Sequence, residues 1–154
     1  MFKFERGGDP YRKLGVGKIA LIKKWFNDLD ISSDRYTIDK DFNINVGRNL
    51  FLRGSKITSF LDNLRVGGWL DLNGTNITSL PDNLSVGGSL FLSGTKITSL
   101  PNDLSVGGSL FLRGTNLTSL PNDLSVGRDI WLDKDKKGKV YVPEHLKKKI
   151  EYLS

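Results

Sequence analysis

Between residues 46 and 125 the apolar and polar positions follow a pattern that begins again every 20 residues. Aligned on Val46, Val66, Val86, Val106 and Val126, the chain reads V-G-G-x-L-x-L-x-G-T-x-I-T-S-L-P-x-x-L-S. Four units are complete, and a fifth, VGRDIWLDKD, departs halfway. Residues 85–104 and 105–124 differ at only three positions. A fixed period of this length marks a solenoid, in which each unit is one coil whose apolar side is covered only by its neighbours.

Within a unit, Leu-x-Leu has the period of two expected of a strand with one buried face. Leu90 and Leu92 therefore point inward, while Ser89, Phe91 and Ser93 point outward. Stacked coils make these strands one parallel sheet. Gly74 and Gly94 permit a tight turn after the strand, and Thr75, Thr95 and Thr115, with Ser55 in the first unit, form a column of hydroxyls able to satisfy buried backbone. Pro81, Pro101 and Pro121 disfavour a helix interior, and the Gly-Gly pair turns the chain back toward the next strand. The convex side is then extended chain, turns or short 3₁₀ pieces.

The inward residues of one coil (Leu90, Leu92, Ile97, Leu100, Leu104 and Val106) contribute roughly 1.5–3 kcal/mol each when buried. Ordering the backbone of one unit costs on the order of 20–40 kcal/mol, so a coil is stable only when stacked.

At L-x-L-x-G-T-x-I-T-S-L-P the chain resembles a leucine-rich repeat, specifically the short unit with a Leu-Pro step found in secreted bacterial effectors. It is also similar to bacteriophage-encoded repeat proteins with a V-G-G return and a short helical segment before the array. The resemblance covers about residues 46 to 133; Thr or Ser stands where the usual family has Asn at the bend. It implies an α/β leucine-rich-repeat solenoid, with the parallel β-sheet on the concave face and short helical caps at both ends. The domain plan is an N-terminal helical cap and lead-in strand (1–45), the repeat array (46–133) and a C-terminal hairpin and helix cap (134–154).

Both flanks suit the caps that open solenoid ends require. In GKIALIKKWFNDL, Ile19, Ile22, Trp25, Phe26 and Leu29 recur at helical spacing, with Lys18, Lys23 and Lys24 largely opposite. Residues 36–46 add an extended approach. Near the other end KVYV reads as a strand and PEHLKKKIEYL as a short helix starting near Pro143, with Leu146, Ile150 and Leu153 closing the last coil.

Composition narrows the chemistry. The chain has 154 residues, 38% of them hydrophobic, which is enough for one core. It has no cysteine, so thiol nucleophiles, thiolate metal sites and disulfides are excluded, in keeping with a reducing cytosol. The N-terminus MFKFERGGDPYRKLG carries charges where a signal peptide needs an apolar run, and no window approaches the roughly 18 apolar residues of a membrane span. The expectation is a soluble, cytoplasmic protein without membrane association. The formal charge is +6, yet residues 46–125 hold six Lys/Arg against five Asp, so the excess lies in the flanks.

Candidate catalytic and ligand motifs are thin. Gly15, Gly17 and Lys18 in LGVGK resemble a phosphate loop, but Arg12 stands where its first glycine belongs and Ile19 replaces the Ser/Thr that meets magnesium, so a turn before a helix is expected. Residues 133–144, DKDKKGKVYVPE, have Asp, Asp, Gly and Glu at positions 1, 3, 6 and 12 of a calcium-loop pattern. Lys137 occupies a ligand position there, which favours a basic hairpin loop. His145 is the one histidine, so no His cluster exists for zinc and no Cys-His pair for covalent catalysis. Asp62, Asp82, Asp103 and Asp123 recur with the unit rather than converging, and Asn76, Asn83 and Asn116 fall in N-x-S/T patterns that the repeat generates. No cofactor and no catalytic residue is expected. The effector relatives include ubiquitin ligases with a catalytic cysteine domain, and this chain has neither the cysteine nor the length.

The outward row of the sheet is more informative. It runs Phe51, Asp71, Phe91, Phe111, Trp131, and beside it runs Asn49, Trp69, Ser89, Ser109, Asp129. Arg53 and Arg113 flank the aromatics on the same strands. Aromatics standing where solvent should be usually mark partner sites, and arginine is enriched there. Duplication of one Phe into a self-packing ladder of neighbours is the competing explanation, and both can hold. The leading expectation is a non-enzymatic module that binds a partner protein through Phe51, Arg53, Trp69, Asp71, Phe91, Phe111, Arg113 and Trp131; by resemblance, the partner is a bacterial host factor in the host-cell cytoplasm. The alternatives are nucleic-acid binding through Lys134, Lys136, Lys137, Lys139 and Lys147–Lys149, and homo-oligomerisation through an end or the aromatic face.

Overall fold

The computed structural model describes residues 17–154, so the first sixteen, including Gly15 of LGVGK and part of the 1–45 segment, lie outside the described residues. The chain opens with helix α1 (Lys18–Asp28) and then forms twelve strands among the described residues. Strands β1 (Tyr36–Ile38) and β2 (Ile44–Val46) form an antiparallel pair, Tyr36 opposite Val46. From there two short strands recur in each coil: β3 (Leu50–Phe51), β4 (Leu64–Val66), β5 (Leu70–Asp71), β6 (Ser85–Val86), β7 (Leu90–Phe91), β8 (Ser105–Val106), β9 (Leu110–Phe111), β10 (Ser125–Val126) and β11 (Ile130–Asp133). Strand β12 (Ile150–Leu153) ends the chain.

These strands stack into two six-stranded sheets, ordered β1-β2-β4-β6-β8-β10 and β12-β11-β9-β7-β5-β3. Apart from β1–β2, neighbours are parallel and offset by one period, Val66 opposite Val86 and Leu90 opposite Leu110. The molecule is therefore a β-solenoid of stacked coils with few helices. The expected sheet is present, but a second joins it at the Gly-Gly corner. Residues read as a simple return alternate in the same way: Leu104 and Val106 are buried while Ser105 is exposed.

Close approach at that corner explains the glycines. A β-carbon on Gly67 would lie 2.7 Å from the carbonyl oxygen of Gly47 in the preceding coil, and one on Gly87, Gly107 or Gly127 would come closer still to its counterpart. The neighbouring amides tie the coils together, Gly87 N–H donating to Val66 O at 2.7 Å and Gly107 N–H to Val86 O at 2.8 Å. At the opposite bend Gly94 has φ 70°, and the hydroxyls of Thr75, Thr95 and Thr115 donate to Leu72 O, Leu92 O and Leu112 O at 2.8, 2.7 and 2.7 Å. Ser55 Oγ, in the equivalent place, is buried and has no such bond.

The N-terminal coil is covered by α1. Its buried stripe is Leu21, Ile22, Trp25 and Phe26; Phe26 stacks on Tyr36 at 3.8 Å and Trp25 meets Phe60 at 5.4 Å. Ile19, expected inward, is 45% exposed, because the stripe is set by adjacent pairs one turn apart that begin at Leu21. Among the described residues, no helix is long and apolar enough to cross a membrane.

The C-terminal end differs from the expected hairpin and helix. Residues Glu144–Lys149 form a 3₁₀ turn with Leu146 in the core, and Ile150–Leu153 form a strand parallel to β11, Ile130 opposite Ile150. Residues 140–142 continue the coil: Tyr141 N–H donates to Thr118 O and Leu120 N–H to Tyr141 O. V-P-E-H-L at 142–146 thus restates L-P-N-D-L at 120–124, and the segment is a sixth coil. A two-residue gain after β11 is cancelled in the 3₁₀ turn, which restores the period of 20 at Ile150.

The corner packing gives a paired expectation. Gly107→Ala forces a methyl group against backbone that cannot move alone and lowers stability by about 1–3 kcal/mol in urea unfolding. Gly47→Ala, with nothing within 4 Å of the added carbon, changes it by less than about 0.5 kcal/mol.

Candidate functional site

The 20-residue register sets equivalent residues opposite one another on every strand of the second sheet. Its outer row runs Phe51, Asp71, Phe91, Phe111, Trp131 and continues to Glu151, which sits opposite Trp131. Phe91 and Phe111 stack with centroids 4.7 Å apart and planes 2° apart, and Phe111 and Trp131 lie 6.3 Å apart at 3°. Trp69, in the adjacent row, meets Phe91 edge-on at 5.9 Å. Four of the five expected aromatics therefore form one connected ladder.

Phe51 stands apart, because its neighbour on the next strand is Asp71. It is 62% exposed, and Trp69 is 50% exposed, whereas Phe91, Phe111 and Trp131 are half-buried. Gly88 makes room for the indole, since a β-carbon there would overlap Trp69 Cδ1. The second glycine of the pair thus serves a different purpose from the first. It lets the outward side chain of the preceding coil lie flat, as Asn49 Oδ1 does in accepting from Trp69 N at 2.8 Å over Gly68.

Asp71, expected on the binding face, is buried to 8% exposure, and its oxygens accept from Arg53 Nε and from Asn73 N, each at 3.0 Å. Arg113 approaches Asp133 of the next coil at 3.6 Å, while Asp133 also accepts from Gly114 N at 2.7 Å. Each arginine is thus steadied by a carboxylate one coil further on, with its own side chain 66% (Arg53) or 61% (Arg113) exposed.

The remaining candidates do not assemble. In residues 133–144, Asp133 is engaged as described and Glu144 pairs with Lys147 at 2.6 Å, so they do not converge on a shared centre. Among the described residues no group of three or more His, Asp or Glu is placed to hold a metal ion. His145 Nε2 lies 3.1 Å from Leu124 O. The aspartates fall in two columns rather than one: Asp103 Oδ2 accepts from Asn83 N at 3.0 Å, an inter-coil bond. Sequence reasoning missed Glu151 as the next rung and Tyr141, 60% exposed on the sixth coil; the signal was V-P-E-H-L.

Ring stacking has a stability consequence. Phe111 loses two ring neighbours on truncation, so Phe111→Ala lowers stability by roughly 1–3 kcal/mol. Phe51→Ala, with neither its exposure nor a stacked partner at stake, stays within about 0.5 kcal/mol of the parent. Thermal unfolding of the two variants separates them.

Compared with protein-family models, with curated proteins and with solved structures, the chain matches none, so the significance of this surface rests on its geometry.

Proposed function

We propose that this chain is a non-enzymatic protein-binding module that holds a partner on the outer face of its second sheet. The observation that carries this is the exposure of Phe51 and Trp69, large aromatics left in solvent near Arg53 although Phe91, Phe111 and Trp131 beyond them half-bury one another. The 20-residue unit supports kinship with the short leucine-rich repeats of bacterial effectors and bacteriophage proteins. On that kinship, the partner is a host protein that this chain inhibits or redirects in the host-cell cytoplasm.

The test is affinity capture from candidate host extract with the parent chain and with Phe51→Ala/Trp69→Ala, both changes at exposed positions that leave the core intact. A specific partner is recovered at least tenfold less with the double variant. Equal recovery places the binding surface elsewhere.

A second reading has its own observation. Lys134, Lys136, Lys137 and Lys139 share with Lys147–Lys149 the one terminal coil that runs from β11 to β12. Residues 126–154 hold eight Lys/Arg against five Asp/Glu, a net +3. Nucleic-acid binding by that coil predicts oligonucleotide affinity that falls steeply with salt and is lost on replacing Lys147, Lys148 and Lys149 with Gln; a flat salt dependence rejects it.

A further inference from the structure

The way the rings are stacked decides which part of each ring a partner meets. With planes 2° and 3° apart, Phe91, Phe111 and Trp131 turn their faces to one another and their edges to solvent. An aromatic ring is negative on its face and positive at its edge. Sugars, bases and cations are recognised over ring faces, which are covered within this stack, while Phe51 and Trp69 stand outside it. The surface that these three rings leave open is their edges, apolar with a positive rim.

Two arginines flank it, each paired with a carboxylate of the next coil. Arg53 and Arg113 follow Phe51 and Phe111 by two residues, are steadied by Asp71 and Asp133, and keep more than 60% of their side chains exposed. In the same column between them stand Asn73 and Ser93, neither charged. Of the acidic groups, Asp71 is buried against Arg53, Asp133 is half-buried against Arg113 and the Gly114 amide, and the exposed ones on this face, Asp129 and Glu151, lie at the C-terminal end among the lysines of the last coils.

From these features we infer that the face takes an acidic, apolar segment of a partner protein, laid along the solenoid axis with carboxylates on Arg53 and Arg113 and aliphatic side chains against the ring edges. This rests on the reading of this face as the binding surface. The two arginines are three coils apart, about 14 Å at ~4.8 Å per coil. That span fits carboxylates about four residues apart in an extended segment, at ~3.3 Å per residue, or nine to ten apart in a helix, at ~1.5 Å per residue. An arginine fork tethered on one side is suited to a carboxylate because little freedom is lost on pairing.

Selection of a displayed random 12-residue peptide library on the full chain tests this directly. The expected pool is rich in Asp and Glu among Leu, Ile and Val, and its members bind Arg53→Gln/Arg113→Gln at least tenfold more weakly, with Arg53→Lys/Arg113→Lys between the two. Arg113→Gln alone is the control for folding, since Asp133 retains the Gly114 N–H. A pool rich in Lys and Arg, a pool with no charge bias, an empty selection, or unchanged affinity for the double Gln variant overturns the inference. So does a twelve-nucleotide oligo-dT that outcompetes the peptides at the same residues. If peptides lose binding to Phe51→Ala/Trp69→Ala but not to the arginine variants, the surface stands and the acidic partner falls. If they bind regardless of both, the surface itself is wrong.

Discussion

Every row of side chains on this molecule is placed by one contact, the approach of the first glycine in each V-G-G corner to the carbonyl of the glycine one coil before it. No β-carbon fits between them. The approach lets an amide on each corner bond to the coil below at 2.7–2.8 Å, from Gly67 through Gly127. A side chain at one of these corners would wedge two coils apart, and the separation would be felt in both sheets at once. The corner therefore sets the spacing, and the spacing sets the register in which Leu meets Leu and ring meets ring.

Once the spacing is fixed, the unit divides its residues between two tasks. Leu, Ile and Val inward, Thr at the bend and the glycines at the corner answer to the coil and vary little between units. Outward positions are free of the demands of the coil, and they vary: Ser93 against Arg113, Phe91 against Asp71, Ser89 against Trp69. The same register that stacks Phe91 on Phe111 also sets Arg53 beside Asp71, so the repeat serves as a ruler for groups it does not itself specify.

Much of this was legible in advance. The period of 20 and the Leu-x-Leu alternation gave the solenoid and the inward set, and the threonine hydroxyls do bond to backbone at the bend. The second sheet was not legible as a sheet, because a two-residue strand that ends at Gly-Gly looks like a turn until its neighbours lie beside it. The sixth coil was hidden by its two-residue gain and by Lys147–Lys149, whose charge and spacing suit a helix in isolation; tertiary pairing with β11 overrides that preference. Within the candidate site, the outward direction of the aromatics followed from strand alternation alone. The burial of Asp71 did not, because it depends on Arg53 reaching across from the coil before.

Asp71 also bears on the packing explanation of the ladder. If the rings served packing alone, continuing the stack through this position would favour stability: a Phe here would lie between Phe51 and Phe91 and cover both, whereas Asp leaves Phe51 largely in water. The chain instead breaks its stack at one coil, buries a carboxylate and uses it to hold Arg53 next to the ring left open. Trp69, in the same coil, adds a second exposed ring in the adjacent row. Ladder packing alone does not account for a stretch that gives up ring stacking and sets a steadied arginine beside open aromatics.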